Sequence, residues 1–365
     1  MGIIINGKEK YRLDDILKEK ADINLIYGGR DIGKSYAVKE HLLKEACENP
    51  EERQFAYIRR WSEDIKRKYS SNYFTDIEHL VKKFTHGKYE HIAFKEDSFF
   101  VSNITKENKT EYGFKIGRAF SIAMQERYKS LNFKQIKNAI FEEWLTDKIY
   151  IMDEPNQFEN LLSTIERDRE DFRVFMCANT ISRVCPYFEY YALTNIKRQK
   201  QGTIDIYYKD TGKFDENGES IIHKIAVEYC KETDTKDIKK KSNKKSGNMI
   251  ARGEWYSSEH PKLTHNLSLY DCIYTIVFVY NSFKFLLRLL KYENEIVWYV
   301  ERKTTDIKEN ERIISNIYNP SPYWTNSFKP LTNEESIAFN LLKLGRIVYC
   351  DNLTGQEFNQ CFKNL

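Results

Sequence analysis

The chain has 365 residues, 41% hydrophobic and 31% charged, with 25 tyrosines and 22 phenylalanines, a composition that excludes the disordered and membranous classes. That length is enough for two globular units. A formal net charge of +4 excludes a histone-like polycation but leaves local basic patches able to meet phosphates. Seven cysteines without C-x-x-C spacing and seven scattered histidines speak against a disulfide framework, a zinc ribbon or a metal cluster. The opening stretch MGIIINGKEKYRLDD lacks the basic-then-apolar order of a signal peptide. The most apolar segment, IYTIVFVYNSFKFLLRLL, is interrupted by Lys284 and Arg288, so core strands and no membrane partner are expected.

In chain order, YRLDDILKEK reads as an amphipathic helix, INLIYGG as a strand and SYAVKEHLLKEACEN as a second helix. RQFAYIRRW is a second strand, DIEHLVKKF a helix, NAIFEEW a third strand, PNQFENLLSTIERDRED a helix and FRVFMCANT a fourth, buried strand. Strands alternating with helices up to about residue 208 predict a parallel α/β sheet. The character then shifts: DTGKFDENGES is turn-rich, and KDIKKKSNKKSG packs six lysines into residues 236–245. This run reads either as a solvated connector or as a nucleic-acid contact through Lys239, Lys240, Lys241, Lys244 and Lys245. The expected organisation is a domain over 1–208, a basic linker over 209–258 and a smaller α/β module over 259–365, with a strand meander followed by two helices.

Gly28-Gly29-Arg30-Asp31-Ile32-Gly33-Lys34-Ser35 satisfies G-x-x-x-x-G-K-[ST] between a strand and a helix, the context a phosphate-binding loop requires. Gly28 and Gly33 let main-chain N–H groups turn toward phosphate oxygens, and the helix N-terminus adds its dipole. Lys34 is expected to bridge the β- and γ-phosphates of ATP, and Ser35 to ligate Mg²⁺. An acid at the end of a buried strand is needed beside the metal. Two pairs compete: Glu142 and Glu143 in NAIFEEW, and Asp153 and Glu154 in IYIMDEP. The first is preferred, because its acids follow apolar strand residues and leave a loop and a helix before the next strand. Glu142 then orders the metal and Glu143 polarises the attacking water, a role that needs reach more than a shifted pKa.

Asn179 and Thr180 end the fourth strand and are placed either to sense the γ-phosphate or to terminate the strand as turn residues. Arg167 and Arg169 close the helix before it. Spaced i, i+2, they point in different directions, and one of them suits an arginine finger acting on a neighbouring copy's phosphates. A helix end that simply favours positive charge is the plainer reading.

The segments GGRDIGKSYAVK, YIRRW, SSNYF, YKSLN, AIFEEW, TIERDRE and CANTISRVCPYF, in this order, resemble the DNA-packaging ATPases of phi29-type tailed bacteriophages. The resemblance spans most of residues 20–195 and thins to hints such as FVYNSF beyond. It implies a P-loop ATPase of the additional-strand, catalytic-glutamate type, with a C-terminal domain shaped like an RNase H-type nuclease but lacking its metal-binding acids. It also implies a homo-oligomeric ring, a pentamer by that likeness, docked on the portal of an empty capsid and pumping double-stranded DNA inward. A capsid-bound structural RNA is the scaffold in such motors. The motor would work in the host cytoplasm, attach transiently to the capsid and be absent from the mature virion. Position by position, Lys34 and Ser35 fall on the ATP- and Mg²⁺-binding residues and Glu142–Glu143 on the acidic pair. Arg167 falls on the finger acting in trans, and Lys129 on a basic residue that approaches the neighbour's nucleotide. Glu142 stands where the family pattern has Asp.

The segment YTIVFVYN carries no Asp or Glu, and Asp271 is placed just ahead of it, so a binding module without nuclease activity is expected. The candidate DNA contacts are Lys66, Arg67 and Lys68 within RRWSEDIKRKY, read as lining a pore, together with the lysine run, Lys284 and Arg288. Such contacts would be sequence-independent, as a motor for any genome requires. The rival reading is a nucleotide-regulated assembly ATPase that does not move DNA.

Overall fold

Strand β1, Ile23–Gly28, is buried at all six positions. An apolar run of this kind can be satisfied only by a sheet covered on both faces. Leu25 and Tyr27 join one core with Phe158, Leu161 and Ile165, while Ile26 joins the other with Val38, Leu42 and Ala46. The helix after β1, α1 (Lys34–Glu48), carries its apolar residues four apart at 38, 42 and 46 and so lays one face on the sheet. Leu42 has no exposed surface, so its truncation to Ala would cost about 2–5 kcal/mol.

The computed structural model describes residues 11–167, 171–214, 218–231 and 259–365, with the strand pair Ile4–Ile5 and Lys8–Glu9 before them. They fall into two compact units: Met1–Thr146, Tyr150–Ile181 and Cys185–Trp255 form the first, and Asp147–Ile149, Ser182–Val184 and Tyr256–Leu365 the second. Lys239, Lys240, Lys241, Lys244, Lys245 and Arg169 lie outside the described residues. Among the described residues, no helix is long and apolar enough to cross a membrane.

In the first unit, β2 (Gln54–Arg59), β3 (His91–Lys95), β4 (Ser98–Ile104), β5 (Thr110–Ser121) and β6 (Ile136–Glu142) follow α1. Helix α2 (Glu154–Glu166) and β7 (Arg173–Asn179) come next, then β8 (Thr203–Phe214) and β9 (Ser220–Tyr229). Their order across the nine-stranded sheet is β8-β9-β1-β7-β6-β2-β5-β4-β3. The six strands from β9 to β5 pair in parallel, and antiparallel strands close both edges. Parallel strands put their C-terminal ends on one side of the sheet, and there β1, β6 and β7 deliver the loop, the acidic pair and Asn179.

Three expectations are corrected. The break expected after residue 208 falls inside β8, because β8 and β9 form a hairpin whose second strand pairs with β1 from Ile225↔Ile23 to Tyr229↔Tyr27. Most of residues 209–229, expected as linker, belong to this hairpin. DIEHLVKKF is a short 3-10 turn, Glu78–Leu80, running into a single turn of helix, Val81–Phe84. Asp271 is the first residue of a strand and does not precede it.

In the second unit, β10 (Asp271–Tyr280), β11 (Phe283–Tyr292) and β12 (Glu295–Arg302) make the expected antiparallel meander. The short strands β13 (Ile313–Ser315) and β14 (Trp324–Thr325) extend it in parallel from β10, and β15 (Ile347–Tyr349) pairs in parallel with β12. Helices α3 (Asn333–Lys343) and α4 (Asn352–Lys363) contribute Ala338, Phe339, Phe358 and Cys361 to a core with Phe278, Phe285 and Trp298. The Trp298 indole donates to the Ala338 carbonyl at 2.8 Å.

Candidate active site

The loop between β1 and α1 bends through three left-handed or glycine-only conformations, Gly28 at φ 154°, Asp31 at 63° and Gly33 at 99°. Gly28 is required twice over, since a Cβ there would stand 3.1 Å from the Cβ of Cys230. Arg30, Asp31, Gly33, Lys34 and Ser35 line a cleft of about 770 Å³ together with Glu142, Glu143 and Asn179, a size that suits a nucleotide. Ile32 turns the other way: its side chain is buried in the α1-side core, and its carbonyl accepts from the Tyr11 main chain at 3.0 Å. Its side chain is therefore not a nucleotide contact.

Lys34 is 5% exposed. Its ammonium donates to the Gly29 carbonyl and to Asn179 Oδ1, the latter at 3.1 Å. Burial lowers its pKa, so a polyanion entering the cleft meets a cation that has given up most of its water. Asn179 ends β7 as expected. Thr180 follows it, fully buried, with its main-chain N–H on the Gly28 carbonyl at 3.3 Å, which ties the strand end to the start of the loop.

Ser35 Oγ donates to Glu142 Oε2 at 3.1 Å, and Tyr73 OH donates to Glu142 Oε1 at 2.8 Å. Burial raises the Glu142 pKa, and the two hydroxyl bonds oppose that rise. A hydroxyl and a carboxylate side by side are hard oxygen donors, the set Mg²⁺ selects while keeping several waters. Among the described residues, no group of three or more His, Cys, Asp or Glu stands ready to hold a metal alone, and a two-oxygen site shared with substrate phosphates needs none.

Glu143 follows with φ 63°. Its main chain donates to the Cys177 carbonyl at 2.8 Å, and its carboxylate pairs with Arg59 at 3.1 Å. The rival acids are placed elsewhere. Asp153 precedes α2, accepting from Asn156 at 2.6 Å. Glu154 is the first residue of α2, fully buried and gripped by Arg60.

Arg167 caps the C-terminal end of α2, and its guanidinium donates to the Lys129 carbonyl at 2.8 Å. The Lys129 ammonium pairs with Glu126 at 2.7 Å. Neither residue is among those lining the cleft, yet the fold sets the two together on one exposed surface. Lys66, Arg67 and Lys68 are exposed, with Lys66 paired to Glu63. Arg59 and Arg60, read as the start of the same pore-lining stretch, turn instead to Glu143 and Glu154. Lys284 is exposed. The charge of Arg288 is matched by Glu301 across the sheet, which removes it from the set of open cations.

Sequence reasoning missed Arg59, Arg60, Tyr73, Lys39 and Asp76. Lys39 lies over the Tyr73 ring at 4.8 Å and is bonded to Asp76 at 2.6 Å. Two arginines ending a buried strand next to the acidic strand were the available signal for the first pair. Tyr73 carried none.

Residues 8–211 match the Podovirus DNA encapsidation protein (Gp16) family. Among curated proteins, the chain is 30% identical over 174 residues to a DNA packaging protein of Bacillus phage B103, covering 47% of this chain and 48% of that protein. To a DNA packaging protein of Bacillus phage phi29 it is 27% identical over 186 residues, half of each chain. The chain thus spans about half the length of the curated relatives it matches. Two solved structures share the fold along nearly the whole chain. One is described as the Phi-28 gp11 DNA packaging motor, with TM-score 0.52, 18% identity and coverage of 98% and 99% of the two chains. The other is the bacteriophage Phi-29 viral genome packaging motor assembly, with TM-score 0.51, 19% identity and coverage of 97% and 98%.

Proposed function

The chain belongs to the podovirus DNA encapsidation protein family, and from that premise we propose that it is an ATP-driven translocase of double-stranded DNA, acting as a homo-oligomeric ring on the portal of a preformed capsid. The observation that carries the reading is the contact of Ser35 with Glu142 at the foot of the Gly28–Ser35 loop, with Glu143 the next residue along and both acids facing the same cleft. The loop follows β1 and both acids follow β6, two parallel strands of one sheet with β7 between them, so one sheet end supplies the parts phosphoryl transfer requires.

In this reading, Lys34 leaves Asn179 to meet the β- and γ-phosphates, and Asn179 reports their presence along β7. Ser35 and Glu142 would hold Mg²⁺, which when bound would neutralise charge on the phosphates. The Glu143 carboxylate, released from Arg59, orients the attacking water and accepts its proton. Arg167 and Lys129, side by side away from their own cleft, reach the cleft of the next copy in the ring. The order of the second sheet, three antiparallel strands with two further strands added parallel to the first, supports an RNase H-like module, and the lack of Asp or Glu from Tyr274 to Asn281 supports its serving as a nucleic-acid contact and not as a nuclease. Lys284 in this module, and Lys66, Arg67, Lys68 and the lysine run 236–245 outside it, are the candidate partners for DNA phosphates. Arg288, whose charge Glu301 matches, is left out of that set.

The test is ATP hydrolysis by wild type, Lys34→Ala, Glu143→Gln and Arg167→Ala, each with and without linear double-stranded DNA. The motor reading expects wild-type turnover to rise with DNA and to vanish in the first two variants. Partial recovery on mixing Arg167→Ala with Glu143→Gln would place the arginine in trans. Turnover indifferent to DNA, in a preparation shown to be assembled, would favour an assembly ATPase instead.

A further inference from the structure

Arg60 is 5% exposed and Glu154 fully buried. The guanidinium holds the carboxylate with two bonds, Nε to Oε2 at 2.6 Å and Nη2 to Oε1 at 2.9 Å. Glu154 is itself fixed by the Ile151 N–H at 2.9 Å and the Tyr187 hydroxyl at 3.1 Å. The guanidinium sits over the rings of Phe141 and Tyr150, at 5.6 and 5.0 Å. Of its remaining N–H groups, two are aimed at the main chain beyond β6: Nη1 at the Glu143 carbonyl, 3.1 Å, and Nη2 at the Trp144 carbonyl, 3.5 Å.

An ion pair that served only to fill the core would need no such aim. Buried pairs are often replaceable by apolar residues of equal volume at little cost in stability. Glu143, moreover, holds a left-handed backbone at φ 63°, which costs a non-glycine residue on the order of 1–3 kcal/mol and persists only where the surroundings enforce it. The enforcement is visible on both sides of the residue. Its N–H is bonded to the Cys177 carbonyl of β7, and its carbonyl is bonded to Arg60. The strained turn is what directs the Glu143 side chain into the cleft after a strand whose previous residue, Glu142, already faces it.

We propose that Arg60 and Glu154 are positioning residues for the Glu143 carboxylate: Glu154 orients the guanidinium, and the guanidinium fixes the peptide that carries Glu143. The inference rests on the reading of Glu143 as the base for hydrolysis. Arg60 acts through the main chain, whereas Arg59 pairs with the carboxylate itself, so the two neighbouring arginines have separable roles.

The experiment uses the full chain with linear double-stranded DNA. It compares wild type, the double variant Arg60→Met/Glu154→Met, Arg60→Lys and Glu143→Gln by steady-state ATP hydrolysis, binding of a fluorescent ADP and thermal melting. A misplacement on the order of 1 Å at the reacting group lowers turnover about 10²-fold. The double variant should therefore keep its melting transition, its affinity for ADP and its KM within about twofold while kcat falls about tenfold to a hundredfold. Arg60→Lys, which keeps a cation beside Glu154 but loses the fork, should show the same split. If the double variant does not melt cooperatively, Arg60→Lys decides by the same criteria. Wild-type kcat in a folded variant overturns the proposal, as does a parallel loss of ADP affinity, which would mark a general structural role. Should Glu143→Gln keep its activity, the reading of Glu143 fails first and the proposal falls with it. An inactive Glu143→Gln beside an unimpaired double variant would sink the positioning role alone.

Discussion

Tyr73→Phe removes one hydroxyl from the candidate site and nothing else. That hydroxyl is one of the two that bond the buried Glu142 carboxylate, at 2.8 Å. Burial raises the Glu142 pKa, and the Tyr73 bond is the largest of the groups opposing it. Tyr73 remains a donor throughout, because burial and the nearby Glu142 push its own pKa upward. A hydrogen bond to a charged group contributes about 1.5–3 kcal/mol, which at 1.36 kcal/mol per pH unit corresponds to a further rise of about 1–2 pH units. A raised carboxylate pKa means protonation at higher pH, so the acid limb of activity should move upward and never downward. The assay is kcat/KM for ATP hydrolysis from about pH 5 to about pH 9 at fixed free Mg²⁺, which reports ionisations of the free protein. The aromatic stack of Tyr73 on Tyr57, at 4.0 Å between centroids, survives the substitution and should keep the fold. Acid limbs agreeing within about 0.5 pH unit, with the melting transition unchanged, would refute both the bond's importance and the assignment of Glu142 to the metal side.

Gly28→Ala should lower stability by about 1–3 kcal/mol, because φ 154° and the 3.1 Å approach to Cys230 leave no room for a Cβ; urea unfolding measures it, and a stability equal to wild type would contradict the geometry. In the second unit, Arg312 is bonded to Glu335 at 2.8 Å and to the carbonyls of Ile313, Tyr323 and Lys329. Arg312→Ala strands the 4%-exposed Glu335 and should cost about 3–5 kcal/mol, read from the same unfolding curves. Glu228 accepts from Tyr11 OH at 2.6 Å, and burial pushes its pKa up to about 7 against that bond. The folded state then holds a proton that the unfolded chain gives up near pH 4.5. Stability from this group is present at low pH and lost as pH rises through about 7, a swing on the order of 3 kcal/mol. Glu228→Gln should flatten the melting temperature between about pH 5 and about pH 7.5, and an unflattened profile would count against the buried carboxyl.

What the sequence made legible was local. The Gly28–Ser35 loop is one contiguous motif whose glycines, lysine and serine stand within a single turn, and the parallel strands around it announce themselves as apolar runs because both faces are covered. The choice between the acidic pairs was also readable in principle. Asp153 and Pro155 bracket Glu154 as a capping residue and an early-helix proline do, which marks a helix start and not a strand end. What stayed hidden depends on residues far apart in the chain. Arg60 meets Glu154 across 94 positions and Arg59 meets Glu143 across 84. Adjacent strand residues point to opposite faces, so RRW alone cannot say which arginine meets which acid. The hairpin β8–β9, expected in part as linker, was hidden for a different reason. An edge strand keeps polar side chains to avoid pairing with other chains, and TIDIYYKDTGKF followed by a turn-rich stretch therefore looks like a connector. Only the pairing of Ile225 to Tyr229 with β1 brings it into the sheet. That pairing also puts Cys230, the residue after β9, against Gly28.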